Sequence, residues 1–200
     1  MREVRSEIYH TSTKQNQSVL RLLGTGVETM TWTRLTGTPC SKETHTTSYM
    51  QQGFKHLHYL GSKGCDPFAR NCEWAYPYTN DIDPNTNAHY GMDALDFLKH
   101  WDDNFFDYVI WDPPFSKRQA DEIYEGHNNV YTVPGYVKEC FDEIFRILKP
   151  GGMVLKLGYN STCPQGFQIE KGYIVNMGGN INDIIMTILS KRQMTLGEWT

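Results

Sequence analysis

The sequence predicts an α/β fold: one sheet, parallel through its middle and finished by an antiparallel hairpin. Three observations predict it. Four short apolar stretches each end in an acid, at Asp66, Asp81, Asp93 and Asp112. A run of helical period covers Tyr136 to Leu148, and a strand-like run comes directly after it. Two β-type runs then flank Gly178-Gly179-Asn180, a turn signal. Strand, helix and strand joined by short connections place parallel strands at a sheet's centre. In such sheets ligands gather at the carboxyl ends of the strands.

In chain order, residues 1–55 are rich in Thr, Ser and Gln and carry no clear period. The expectation there is an irregular arm, leading into a single folded domain over 56–200. The acid-ended stretches come next: Cys65-Asp66, Tyr78 to Asp81 and Tyr90 to Asp93. Asp66 and Asp81 are fifteen positions apart and Asp81 and Asp93 twelve, so the helices between these strands are pared down. Tyr108 to Trp111 reads as a buried strand. In YVKECFDEIFRIL the apolar residues at 137, 141, 144, 145 and 148 share a helix face. Lys149-Pro150-Gly151-Gly152 stops that helix, with Lys in the last turn and Gly beyond. Strands are expected over 153–157, 172–177 and 183–189.

Composition narrows the function classes. The chain has 200 residues and is 39% apolar, which is enough for one sizeable core. Mean hydropathy is −0.55, and no run of about 18 apolar residues occurs, so no membrane partner is expected. MREVRSEIYH lacks the apolar core of a secretory signal, which points to the cytoplasm. Net charge is −4, so a polyanionic partner would be held by local patches, not by a global field. Five cysteines without a Cys-x-x-Cys, and histidines without supporting ligands, give no metal signal.

The most informative stretch is Asp107 to Lys117, DYVIWDPPFSK. Two prolines donate no N–H and hold the backbone extended, so they end the ladder. Asp112 and Phe115 are thereby fixed at a strand's carboxyl end. The carbonyls of Asp112, Pro113 and Pro114 are left without ladder partners. A carboxylate and a nearby carbonyl can accept both hydrogens of one exocyclic amine. An aromatic three residues on can stack on the ring that carries it. The tetrapeptide suits a planar amine such as adenine or cytosine.

Asp112-Pro113-Pro114-Phe115 resembles the (Asp/Asn/Ser)-Pro-Pro-(Tyr/Phe/Trp) motif of S-adenosylmethionine-dependent amino-methyltransferases. These modify adenine N6, cytosine N4 and, less often, guanine N2 or a glutamine amide. The resemblance covers roughly residues 56 to 190. CDPFARN (65–71) is similar to the first cofactor motif, TNDIDPN (79–85) to the second-strand acid, YGMDALDFL (90–98) to the third motif, and FRILKPGGMVLKL (145–157) to the helix and fifth strand. The combination with LKLGYNS looks like small phage-type DNA methyltransferases. The implied fold is a Rossmann-like class I methyltransferase sheet, and the implied cofactor is S-adenosylmethionine.

The resemblance implies roles residue by residue. Asp112 accepts from the target amine, the Pro113 carbonyl takes the second hydrogen, Pro114 holds the turn and Phe115 stacks on the base. Asp66, Pro67, Phe68, Ala69 and Asn71 line the methionine end of the cofactor. Asp81 meets the ribose hydroxyls, with Asp83 as its rival. Asp93 bonds the cofactor adenine with Ala94 beside it, unless Asp93 simply caps the next helix. Ser116, Lys117 and Arg118 are candidate substrate contacts; the two cations are equally at home as solvated surface. No metal is required. The expected partner is DNA, with RNA second, and the oligomeric state stays open, a dimer among the options. Asp at the first motif position favours adenine over cytosine, as a family tendency.

The sequence departs from the family at one motif. Gly-x-Gly is absent, and Ala69-Arg70-Asn71-Cys72 stands in its place. Asn71 is expected to supply the left-handed residue, since Asn tolerates that conformation. A pocket weakened here would be completed by the arm or a second subunit. If it is lost, the chain is a non-catalytic binding relic of the fold. Lys14, Arg21, Trp32, Arg34, Lys42 and His45 in the arm are candidate substrate contacts, as is the loop 124–136. No recognition domain is evident, so short or relaxed sequence specificity is expected.

Overall fold

A computed structural model describes residues 31–37, 44–57, 63–123, 129–178 and 182–192. The elements are β1 (Thr31–Thr36), α1 (Ser48–Leu57), β2 (Gly64–Cys65), α2 (Ala94–Lys99), β3 (Phe106–Trp111), α3 (Lys117–Ile123), α4 (Asn129–Thr132), α5 (Tyr136–Ile147), β4 (Leu148–Gly158), β5 (Phe167–Asn176) and β6 (Ile184–Lys191). A short 3-10 turn, Thr44–Thr46, precedes α1.

The six strands lie in the order β1-β5-β6-β4-β3-β2. β2, β3 and β4 pair in parallel, as do β1 and β5. β6 runs antiparallel to both β4 and β5. Two isolated parallel bridges, Asp66 to Thr79 and Asn80 to Tyr90, extend the sheet beyond β2. The acid-ended stretches therefore lie side by side, as the sequence predicts, but two of them are reduced to single bridges. No helix forms between Cys65 and Ala94, which is the paring-down that the spacing implies.

The chain runs outward from β2 in one direction and from β3 in the other. That makes the β2–β3 boundary the topological switch point of a Rossmann-like sheet. Alternation along the strands sorts two cores. Tyr108 and Ile110 face α1 with Leu155 and Leu157, whereas Val109 and Trp111 face α2 and α5 with Val154. Helices thus cover both faces, as a parallel sheet needs.

Three expectations are corrected. The arm is not irregular in its described part: β1 joins the sheet, and α1 crosses the expected boundary at residue 55 to bury Tyr49, Met50, Phe54 and Leu57. At α1's centre a Cβ on Gly53 would lie 2.8 Å from Leu155 Cδ1, so glycine lets the helix sit directly on the sheet. The hairpin of β5 and β6 forms, but it is not the sheet's edge. β6 is buried at six of eight positions and needs a neighbour on each side, so the half-exposed β1 becomes the edge. Finally, α5 buries Tyr136, Cys140, Phe141, Ile144 and Ile147 and leaves Val137 exposed, a face rotated from the expected one. Its stop comes earlier than expected: α5 ends at Ile147 with Arg146 in the last turn, Lys149 to Gly152 already lie in β4, the ladder skips from Phe106–Leu148 to Tyr108–Met153, and Gly151 takes φ 76° in the bulge. Residues 1–30, with Lys14 and Arg21, and also Cys40 and Lys42, lie outside the described residues. So does 124–128 of the candidate loop. Among the described residues no helix is long and apolar enough to cross a membrane.

Candidate active site at the switch point

Asp66 follows β2 and Asp112 follows β3, so parallel pairing of these strands sets the two carboxylates at neighbouring ends. Asp66 is buried, and its Oδ1 accepts from the Phe68 N–H at 3.0 Å. Burial holds its pKa well above the usual carboxylate range, and the nearby charges of Asp112 and Asp81 push the same way. Asp112 is partly accessible. Desolvation raises its pKa from 3.8 to about 7, against the opposing hydrogen bond from the Thr44 side chain. Thr44 comes from the arm, 68 positions earlier, and nothing in the local sequence signals that contact.

The loop 66–72 is knitted to the second strand. Ala69 N–H donates to the Asn80 carbonyl at 2.8 Å, and Arg70 N–H donates to Asp81 Oδ2 at 3.0 Å. Asp81 Oδ1 accepts from the Asp83 N–H at 2.9 Å. Asp83 pairs with the Arg70 guanidinium at 3.8 Å. Arg70 itself takes the left-handed backbone, φ 47°, so the expectation that Asn71 would do so is corrected. The ion pair and the bond to Asp81 hold Arg70 in a conformation that costs about 1–2 kcal/mol for a residue with a Cβ. Asn71 instead accepts from the Asn87 N–H at 3.0 Å. Fully buried Asn80 is not singled out by the sequence reading. Its Nδ2 donates to the Pro67 and Met92 carbonyls at 3.1 and 2.9 Å, and its Oδ1 accepts from Met92 N–H at 3.0 Å, tying the cofactor-motif loop to the third motif.

Asp93 caps α2 through the Leu95 N–H at 2.9 Å. The Tyr136 hydroxyl donates to the same oxygen at 2.7 Å, and Asn129 Nδ2 donates to the other at 2.9 Å. The capping role is thus observed. Beside it lies a small pocket of about 30 Å³, walled by Pro67, Phe68, Asp81, Asp93, Ala94, Pro114 and Val130 among others.

Pro114 and Val130 stand between that pocket and a larger cleft of about 450 Å³. Trp111, Pro113, Pro114, Phe115, Lys156 and Tyr159 are among its lining residues, and Asp112 is not. Pro114 and Val130 wall both spaces. The Phe115 ring stands 5.4 Å from that of Tyr159, tilted by 56°. Of the three carbonyls expected to lack ladder partners, that of Pro114 accepts from the Tyr131 hydroxyl.

The start of α3 anchors the end of the motif. Gln119 N–H donates to Ser116 Oγ at 3.2 Å, and Gln119 Oε1 accepts from the Phe115 N–H at 2.8 Å. This is a capping-box variant that orients Phe115, and its signal, Ser-x-x-Gln, stands in the sequence. Ser116 is therefore a helix cap. Lys117 and Arg118 project outward and pair with Asp121 and Glu122 one turn on.

No family model matches the sequence, and no curated protein matches it significantly. Solved structures with a similar layout exist. A Haemophilus influenzae protein provisionally named a methylase shares 14% identity over 72% of this chain and 98% of its own, with a TM-score of 0.47. TrmN from Thermus thermophilus shares 17% over 71% of this chain and 48% of its own, with a TM-score of 0.49. The N-methyltransferase NodS from Bradyrhizobium japonicum shares 10% over 74% and 99%, with a TM-score of 0.47. At such low identity, any functional reading rests on this chain's own residues.

Proposed function

We propose that the chain transfers a methyl group from S-adenosylmethionine to the exocyclic N6 of adenine in DNA, with short or relaxed sequence specificity. One observation carries this reading. The Asp-Pro-Pro-Phe segment sits at the switch point, and its Pro114 walls both a small acid-lined pocket and an aromatic-edged cleft.

The residues on the small-pocket side fit an adenosyl group by their chemistry. Asp81 keeps lone pairs free to accept from ribose hydroxyls. Asp93 already accepts from an amide N–H2 of Asn129, which an adenine amine would replace in kind. Phe68, Ala94 and Val130 supply apolar walls. Its volume is that of about one water, so an adenosyl group enters only if the lining shifts. When bound, S-adenosylmethionine supplies a methyl carbon made electrophilic by its sulfonium.

On the cleft side, Phe115 and Tyr159 would hold the ring, extruded from its stack if it comes from a duplex. Asp112, partly accessible although it lines neither space, and the Pro113 carbonyl would accept the two amine hydrogens. This favours a tetrahedral nitrogen, and Asp112 takes the proton released as the N–C bond forms. Positioning of the amine supplies much of the remaining rate.

The binding step is tested by calorimetry of S-adenosylmethionine with the full chain. A one-to-one complex is expected, weakened at least about tenfold in Asp81→Ala, the range for losing charge-assisted hydrogen bonds. A folded protein with no affinity would favour the non-catalytic reading. Two observations already speak for that alternative: the small volume of the pocket, and the commitment of the Phe68, Ala69 and Arg70 N–H groups to Asp66, Asn80 and Asp81.

A further inference from the structure

Lys156 has no role in the transfer step, yet its ammonium is buried at the cleft. It lies on β4 opposite Trp111, one residue from the level of Asp112. It is 7% exposed and lines the cleft. Its Nζ donates to the Asn160 carbonyl at 3.0 Å and to Asn160 Oδ1 at 3.3 Å. Among the described residues no carboxylate forms a salt bridge with it, and burial lowers its pKa. A buried ammonium without a counter-charge is costly, and a hydrophobic side chain of equal length is often better tolerated. Asn160 does not need the lysine, because Asn160 is exposed and water can satisfy its oxygens. Nor does packing need it, since Trp111 and Phe141, which line the same cleft, are apolar neighbours that an aliphatic stem suits equally well. An ammonium has three donors, and Asn160 uses two.

We propose that Lys156 determines substrate choice: from the wall of the cleft its third donor meets a ring nitrogen of the base whose amine Asp112 and Pro113 hold. This rests on the function proposed above and narrows it. An aromatic clamp with a cation behind it selects a planar ring bearing an acceptor as well as an amine. It rejects an alkyl amine. Depth distinguishes the contact from a phosphate contact: a sugar–phosphate backbone stays at the mouth of such a cleft, whereas a flipped base enters it. A hydrogen bond from a charged donor gives discrimination of about ten- to a hundredfold.

The test uses the full chain as wild type and Lys156→Met. Tryptophan fluorescence, sensitive to Trp111 in the cleft, reports binding of 2′-deoxyadenosine and of its 1-deaza and 7-deaza analogues. Thermal melting reports stability. The expected result is a melting temperature that holds or rises in Lys156→Met, while deoxyadenosine affinity falls about tenfold or more. One deaza analogue should bind wild type as weakly as it binds the variant. Equal deoxyadenosine binding by both proteins, or a several-degree fall in melting temperature with unchanged affinity, would overturn the proposal and make Lys156 a tether for Asn160. In that case the methyltransferase reading survives. Absence of nucleoside binding in both proteins would instead remove the adenine reading, and this proposal with it.

Discussion

Asp112 carries a pH signature that activity can read. Burial raises its pKa to about 7, so between roughly pH 4 and 7 the folded chain keeps a proton that the unfolded chain has lost. The native state binds more protons in that window, and stability therefore falls as pH rises through it. Activity is expected to move the opposite way, because only the carboxylate can take the proton that the amine releases. Methyl transfer should climb along a limb with an apparent pKa near 7, shared in part with neighbouring Asp66. Asp112→Asn keeps an accepting oxygen and removes the titration. It should retain reduced activity with a flat profile from pH 6 to 8, and it should melt higher than wild type at pH 8. A retained limb in Asp112→Asn would assign the titration to another group. At this scale the sequence is legible wherever a residue sits at a strand end. Asp66, Asp81, Asp93 and Asp112 all lie where the apolar runs stop. Lys156 is not legible, because a lysine in VLKLG looks like ordinary outward alternation. Thr44 is not, because its contact with Asp112 depends on how the arm folds back.

The elements differ in how plainly they announce themselves, and the reasons are physical. β3, α5 and the β5–β6 hairpin are long or strongly periodic, and their stop signals are Pro and Gly. β1 reads TWTRLT, half-exposed at an edge, so it lacks both the alternation and the apolar density of an inner strand. α1 carries Gly53 at its middle, a residue that argues against a helix unless the close approach to Leu155 is known. The structure makes α1 part of the core. Phe54 is 2% exposed and stacks on Trp74 with ring centroids 4.3 Å apart. Phe54→Ala should cost about 3–5 kcal/mol in chemical denaturation. A loss below about 1 kcal/mol would return α1 to the status of a peripheral arm. The α3 cap makes a smaller prediction: Ser116→Ala should cost about 1 kcal/mol and loosen Phe115, lowering methyl transfer more than stability alone accounts for. An activity equal to wild type would show that Phe115 is oriented without the cap.

Across the whole molecule, the two spaces meet at one segment because of the sheet's topology. Strands leave β2 and β3 in opposite directions, and the crevice this opens holds the Asp66 and Asp112 ends. The pared-down side between Cys65 and Ala94 is held by hydrogen bonds through Asn80, Asp81 and Asp83 where larger folds use helices. The opposite edge is completed by β1. With this economy, specificity is expected to be short or relaxed: many modified sites sharing one short motif would agree, and a single long recognition sequence would contradict it.

On the proposed function, the Asp-Pro-Pro-Phe segment holds an adenine amine for methyl transfer. The most direct measurement is transfer from labelled S-adenosylmethionine to DNA and RNA offered together, with the modified nucleoside identified by mass spectrometry and Asp112→Ala as control. N6-methyladenine in DNA, absent with Asp112→Ala, is the predicted result. Folded protein that transfers nothing to either polymer, or transfer that persists undiminished in Asp112→Ala, would contradict it.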